Sequence, residues 1–187
     1  MKSVLQVIRE RRSQKTFTDR PVSDEDMRTL LDAAVLAPNH KLTQPWGFVV
    51  LGRLARKQYG EIKAAERVGE AADAAAAEQK RARIIAEIAA VPAALVVTQK
   101  LAGDAHRKRE DYAAVFMAIQ NILLVATSMG LSSKVHTGDV MNAQAMRELV
   151  KAEADEQIVA IIHLGEPAEE MKAKARIPAS EKTRWLP

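Results

Sequence analysis

The chain contains no cysteine. Disulfides, thiolate metal sites, iron–sulfur clusters and a cysteine nucleophile are excluded together. Nothing then calls for an oxidising compartment, and the cytoplasm is the default expectation. Aromatic residues are scarce, at 4%, so the core has to be built from Leu, Ile, Val, Ala and Met. No run approaches the ~20 apolar residues that a bilayer crossing needs. Near the N-terminus, Arg9, Glu10, Arg11 and Arg12 interrupt any apolar stretch before a signal peptide could form. The expectation is a chain with no membrane partner. The GxGxxG dinucleotide fingerprint is missing, and so is the phosphate-binding P-loop. No two histidines have zinc-ligand spacing, and no GxSxG elbow or His/Asp set surrounds a serine. An enzyme without its own nucleophile, metal or acid–base set borrows its chemistry from a cofactor.

What is present is ordinary for a globular protein. The 187 residues are 48% hydrophobic and 28% charged, which suits a single domain over residues 1–187. A chain of this length buries roughly 70% of its unfolded surface. The pI of 9.4 raises a nucleic-acid reading. The formal net charge is only +4, with 24 acidic residues against 28 basic ones. Nucleic-acid binding needs a concentrated basic face and a recognisable motif, so no nucleic-acid partner is expected.

Periodicity and punctuation give the elements. Ser3 opens a short helix, with Gln6 as a capping-box partner and Val4, Val7 and Ile8 as the apolar stripe. Ser23 caps a second helix whose first turn is Asp24, Glu25 and Asp26, where the dipole favours negative charge. Its core positions, Met27, Leu30, Leu31, Ala34 and Val35, follow the i, i+3, i+4 rule until Pro38. A loop to Pro45 leads into a strand over Trp46–Leu51, whose continuous apolar character predicts burial on both faces. Residues 54–90 are rich in helix formers and predict one or two helices, broken near Gly60 or Gly69, with 71–80 exposed. The strand Ala94–Thr98 follows, then a polar connection over Leu101–Glu110. A largely apolar helix over 112–129 comes next, with Gly130 as its C-cap. Ser132–Thr137 reads as a short strand, 143–151 as a helix, and Gln157–Leu164 as a buried strand.

Three clusters could carry chemistry. Arg11, Arg12, Ser13 and Lys15 combine planar guanidinium forks with a hydroxyl, a set suited to a phosphate dianion. Arg11 and Lys15 share a face if helix persists through them. The same residues also describe a solvated helix end meeting the C-terminal dipole. The loop from Pro38 to Trp46 places Asn39, His40, Lys41, Thr43 and Gln44 between two prolines, on a connection stiff enough to bind something. Val135, His136 and Thr137 end a strand, where a histidine can donate a proton or a hydrogen bond. His106, in a charged stretch, and His163, near a strand end, invite no role.

The order of these pieces is more telling than any one of them. Arg11-Arg12-Ser13-x-Lys15-x-Phe17, Pro21-Val22, Ala37-Pro38-x-His40 and Gln44-Pro45-Trp46-x-Phe48-Val49-Val50 resemble the nitroreductase-like flavoproteins. Met129-Gly130-Leu131 and Ile161-Ile162-His163-Leu164-Gly165-x-Pro167 match that family's second half. The short chain and the Pro-Asn-His-Lys loop look most like its minimal branch. The resemblance implies an α+β fold with a central, mainly antiparallel sheet flanked by helices, and an intertwined homodimer with FMN between subunits. Arg11, Arg12 and Ser13 would bind the FMN phosphate and ribityl chain, with Lys15 near the ribityl and ring. Asn39 and His40 would reach the FMN of the other subunit. Val135, His136 and Thr137 would wall the flavin, where short members often carry Trp-Arg-Ser. Lys172, Lys174 or Arg176 would supply a C-terminal cation. The implied activity is hydride transfer from NADH or NADPH through FMN to a small organic acceptor, in ping-pong order. A non-enzymatic flavin-binding protein on the same fold is the alternative.

Overall fold

The computed structural model describes residues 2–68 and 73–187. Among them six helices and four strands form: α1 (Val4–Glu10), α2 (Asp24–Ala34), β1 (Trp46–Leu51), α3 (Arg53–Val68), α4 (Ala74–Ala89), β2 (Ala93–Lys100), α5 (Ala105–Ser128), β3 (Ser132–His136), α6 (Gln144–Val150) and β4 (Glu156–Gly165). The strands make one sheet in the order β1-β2-β4-β3, and every neighbouring pair is antiparallel. This is the α+β architecture that the family resemblance implies.

The two central strands are the two most apolar runs, because both their faces are covered. Alternation sorts their side chains. Leu95, Val97, Ile162 and Leu164 point to one face, where α2 and α5 pack. Ala94, Val96 and Ile161 point to the other, where Tyr59 of α3, Ile88 of α4 and Met146 of α6 meet them. A register shift opposite Val97/Thr98 leaves Val159 as an extra residue on β4, so Val159 and Ala160 both join the first cluster. Truncation of a fully buried residue such as Leu30 to Ala costs ~2–5 kcal/mol.

Several expectations change in the folded chain. β1 is an edge strand, so Trp46 to Val49 are only half-buried and Val50 is 48% exposed; its apolar sequence does not mean burial on both faces. Gly60 does not break the helix. It sits inside α3, where an added Cβ would stand 3.1 Å from Ile85 Cα of α4, and its bareness lets the two helices close. Gly69 and Ala71 lie outside the described residues. The polar connection over Leu101–Glu110 is largely helical. Asp104 accepts the Arg107 backbone N–H at 2.8 Å and starts α5 at Ala105, a cap hidden because the apolar stripe begins only at Tyr112.

By length and composition α5 would pass as a membrane span. Here its Val115, Ile119, Ile122 and Ala126 are buried against the sheet and α2. Gly130 ends it as expected, with φ +82° and the Leu131 N–H bonded to the Ala126 carbonyl at 2.9 Å. α1 lies at the margin on α5. Of its expected stripe only Val7 is buried, while Val4 is 72% exposed and Ile8 49%.

Candidate functional site

α1 stops at Glu10, and Arg11 takes extended geometry at φ −54°, ψ 125°. Arg11 and Lys15 therefore do not share a helical face. They come together through the two-residue period of an extended segment. Ser13 forms a parallel bridge with Ser133 at the free edge of β3, and the Gln14 N–H donates to the Ser133 carbonyl at 3.0 Å. Gln14 points inward, 1% exposed, and its amide donates to the Glu169 carbonyl at 2.6 Å. With Gln14 pinned inward, Arg11, Ser13 and Lys15 all face a cleft of about 840 Å³.

The composition of that cleft is one-sided. Arg9, Arg11, Arg12, Lys15 and Lys134 line it, and the tail adds Lys172, Lys174 and Arg176. Among the described residues no Asp or Glu lines it. Eight of the chain's 28 Lys and Arg residues meet in this one concavity. Burial, then the neighbouring Arg12 and Arg176, holds the Arg11 guanidinium below its ordinary pKa, and burial with Lys15 does the same to Lys134. Arg12 differs from Arg11. Its Nη1 donates to the Arg9 and Arg11 carbonyls at 2.6 and 2.9 Å, which ties the guanidinium to the end of α1 in the manner of a helix-end cation, while its Nε is buried without a partner among the described residues.

Val135, His136 and Thr137 are not one wall of side chains. β3 alternates, so Val135 packs into the α2/α5 side of the core while Lys134 and His136 share the other face. His136 and Thr137 line a second, smaller cavity of about 120 Å³ beside Lys63 and Arg67 of α3. Behind His136 lies His163, 6% exposed, with ring centroids 4.2 Å apart. Tyr59 meets His163 edge-on at 5.9 Å, and Lys63 donates to the Tyr59 hydroxyl at 3.4 Å. The Nε2 atoms of both histidines are buried without a hydrogen-bond partner among the described residues. Burial, then Lys63, Lys134 and Arg67, drives the His136 pKa down to about 3. Burial, then His136 and the two lysines, drives His163 to about 2. Both rings are neutral at physiological pH. Lys63 is itself lowered to about 8, by burial and then by Lys134 and Arg67. Sequence reasoning missed Lys134, Lys63 and His163. The alternation of β3 could have found Lys134 once Val135 was placed in the core.

Asn39 and His40 line neither cavity. They belong to the loop before β1, which is held against the first turns of α5. The Asn39 side chain accepts the Gln44 N–H at 2.9 Å and donates to the Ala37 carbonyl at 3.2 Å. Thr43 donates to Asp111 at 2.6 Å, and Asp111, 2% exposed, receives Arg107 Nε at 3.2 Å. His40 Nδ1 lies 3.0 Å from Glu110 Oε2, and His106 Nε2 lies 3.4 Å from the other oxygen of that carboxylate. His106 thus has a partner in common with His40.

Comparison with known proteins agrees with the geometry. A model of the nitroreductase family matches residues 8–166. A Bacillus subtilis protein assigned by name to the NAD(P)H nitroreductases, YfhC, is 27% identical over 176 residues, covering 94% of this chain and 90% of that protein. The crystal structure of a nitroreductase-like family protein from Bacillus cereus superposes with a TM-score of 0.85 at 28% identity, covering 100% of this chain and 97% of the other. An FMN complex of a nitroreductase-type protein from Desulfovibrio desulfuricans superposes with a TM-score of 0.76 at 27% identity, covering 100% and 98%.

Proposed function

The chain belongs to the nitroreductase family, and from that membership we propose that it is an FMN-dependent oxidoreductase working as a homodimer. The observation that carries the cofactor is the cleft without acidic lining. A phosphate dianion is the ligand that gathered cations and one hydroxyl recognise through charge-assisted hydrogen bonds. Arg11, Ser13 and Lys15 would hold that phosphate and the polyol chain, with one cation from Lys172, Lys174 or Arg176 closing over it. Arg12 contributes mainly by fixing the end of α1. Lys134 sits between the two cavities, lining the first while its strand neighbour His136 lines the second. From there it offers positive charge to electron density gathering on a bound ring.

FMN, when bound, supplies the redox chemistry, taking electrons from NADH or NADPH and handing them on to a small organic acceptor such as a nitroaromatic, quinone or enone, one substrate after the other at one place. The protein's part is to bind, orient and exclude water. The neutral His136, with His163 packed behind it, would present an uncharged wall beside Lys134. The homodimer is supported by apolar surface left open: Val4 and Leu36 are 72% and 80% exposed, and with Leu124 they line a groove of about 390 Å³.

The test begins with colour. Purified protein should be yellow and release FMN on denaturation. Either NADH or NADPH, added anaerobically, should bleach it. A colourless protein that takes up no FMN removes the proposal, and a yellow one that neither nicotinamide bleaches is a flavin-binding protein without this activity.

A further inference from the structure

The loop Pro38–Pro45 is strained, and the strain has a visible restraint. Lys41, Leu42 and Gln44 have φ of 52°, 53° and 45°. Among the described residues the one other non-glycine in that region is Lys151, which ends α6. Left-handed geometry at such residues is unfavourable and persists where surrounding contacts over-determine it. The contacts converge on one stretch of α5, from His106 to Asp111.

Two adjacent carboxylates divide the task. Asp111 is buried and grips the loop through the Thr43 hydroxyl, backed by Arg107. Among the described residues the one polar partner that the Glu110 side chain has in the loop is the His40 ring. Its bonded partners are two imidazoles, His40 at 3.0 Å and His106 at 3.4 Å, and His40 is the first cause holding its carboxyl below the usual range. A carboxylate on Nδ1 demands a proton there and fixes the ring's rotation. Nε2 of the half-exposed His40 has no bond within the described chain.

We infer that Glu110 is a positioning residue for His40, selecting the Nδ1–H tautomer so that Nε2 is presented outward as an acceptor for an N–H or O–H of a ligand bound in the partner subunit's cleft. This rests on the proposed FMN-binding homodimer, together with the expectation from the family resemblance that Asn39 and His40 of one subunit reach the FMN of the other. The strained loop is then a rigid mount, clamped by Asp111 and aimed by Glu110. The imide N–H of a flavin ring and the hydroxyls of its polyol chain are donors of the required class.

The test uses the holoprotein and two readouts. Long-range ¹H–¹⁵N spectra of the histidine side chains at pH 8 should show His40 as the Nδ1–H tautomer in the wild type and as predominantly Nε2–H in Glu110→Ala. Glu110→Asp should restore most of the wild-type pattern, and His106→Ala should leave it unchanged. The FMN dissociation constant, read from released flavin fluorescence, should rise about 3- to 10-fold in Glu110→Ala, the loss of one hydrogen bond. The rise should be no larger in Glu110→Ala/His40→Ala than in His40→Ala alone. An unchanged His40 tautomer in Glu110→Ala, or additive effects in the double variant, overturns the assignment. Wild-type protein that binds no FMN removes the flavin reading, and the NMR comparison still decides whether Glu110 orients His40.

Discussion

The two cavities that β3 borders handle polar groups in opposite ways. In the large cleft, cations from the 11–15 segment, β3 and the tail are gathered with no carboxylate lining it among the described residues. Beneath His136, two imidazoles are packed against each other with unpartnered nitrogens, and burial keeps them neutral. The first region gathers like charges that repel one another until an anion offsets them. The second holds its polar groups at a standing desolvation cost. One should therefore respond to ligand and salt, and the other to acid.

Arg11→Ala tests the first most severely. Arg11 forms no ion pair among the described residues, so its loss should leave thermal stability within about 0.5 kcal/mol. FMN dissociation should rise about 10- to 100-fold, the worth of a charge-assisted hydrogen bond; fluorescence titration beside a melting curve separates the two. Equal affinity for FMN in Arg11→Ala would move the phosphate elsewhere.

The buried pair is tested by pH. Both histidines have folded pKa values below the unfolded value of ~6.5, so between pH 6.5 and about 3 the unfolded chain binds protons that the folded chain refuses. Stability should fall as pH drops through that window, and above it the pair adds no pH dependence. Each fully excluded histidine contributes a slope of at most ~1.4 kcal/mol per pH unit, and the less buried His136 contributes less. His163→Leu should flatten the acid limb by up to that amount, as measured by urea unfolding at pH 7, 6, 5 and 4. A limb of unchanged steepness would mean that His163 already has a partner.

The smallest effect is expected at Arg12. Its guanidinium serves the α1 carbonyls, so Arg12→Ala should cost about 0.5–1.5 kcal/mol of stability and change FMN affinity only about 2- to 3-fold, within one such bond. A loss as large as that at Arg11 would make the two adjacent arginines equal ligands and erase the contrast between a bound fork and an open one.

How much of this was legible depended on range along the chain. α2 could be read because its cap, its acidic first turn and its apolar stripe are all local, and β2 and β4 because strands covered on both faces are apolar throughout. The cationic set at Arg11, Ser13 and Lys15 was visible in composition, but its geometry was not. Arg11 and Lys15 converge because Ser13 pairs with Ser133, 120 positions on, and no local signal foretells that pairing. β1 misled because an apolar run says nothing of whether a strand lies at an edge. His163 was overlooked because its significance is its neighbour across the sheet, Lys134 being its register partner and His136 its stacking partner. The strain at Lys41, Leu42 and Gln44 is invisible in sequence, since none of them is a residue that prefers left-handed backbone.

The Ser13–Ser133 bridge has one more consequence. β3 is an outer strand of the sheet, and an uncovered strand edge is a template for unwanted pairing between molecules. The segment that carries Arg11, Ser13 and Lys15 lies along that edge and masks it. Detaching the segment would bare the edge at the same moment that it dispersed the cations, so loss of any anion held there and the onset of aggregation should share a single trigger.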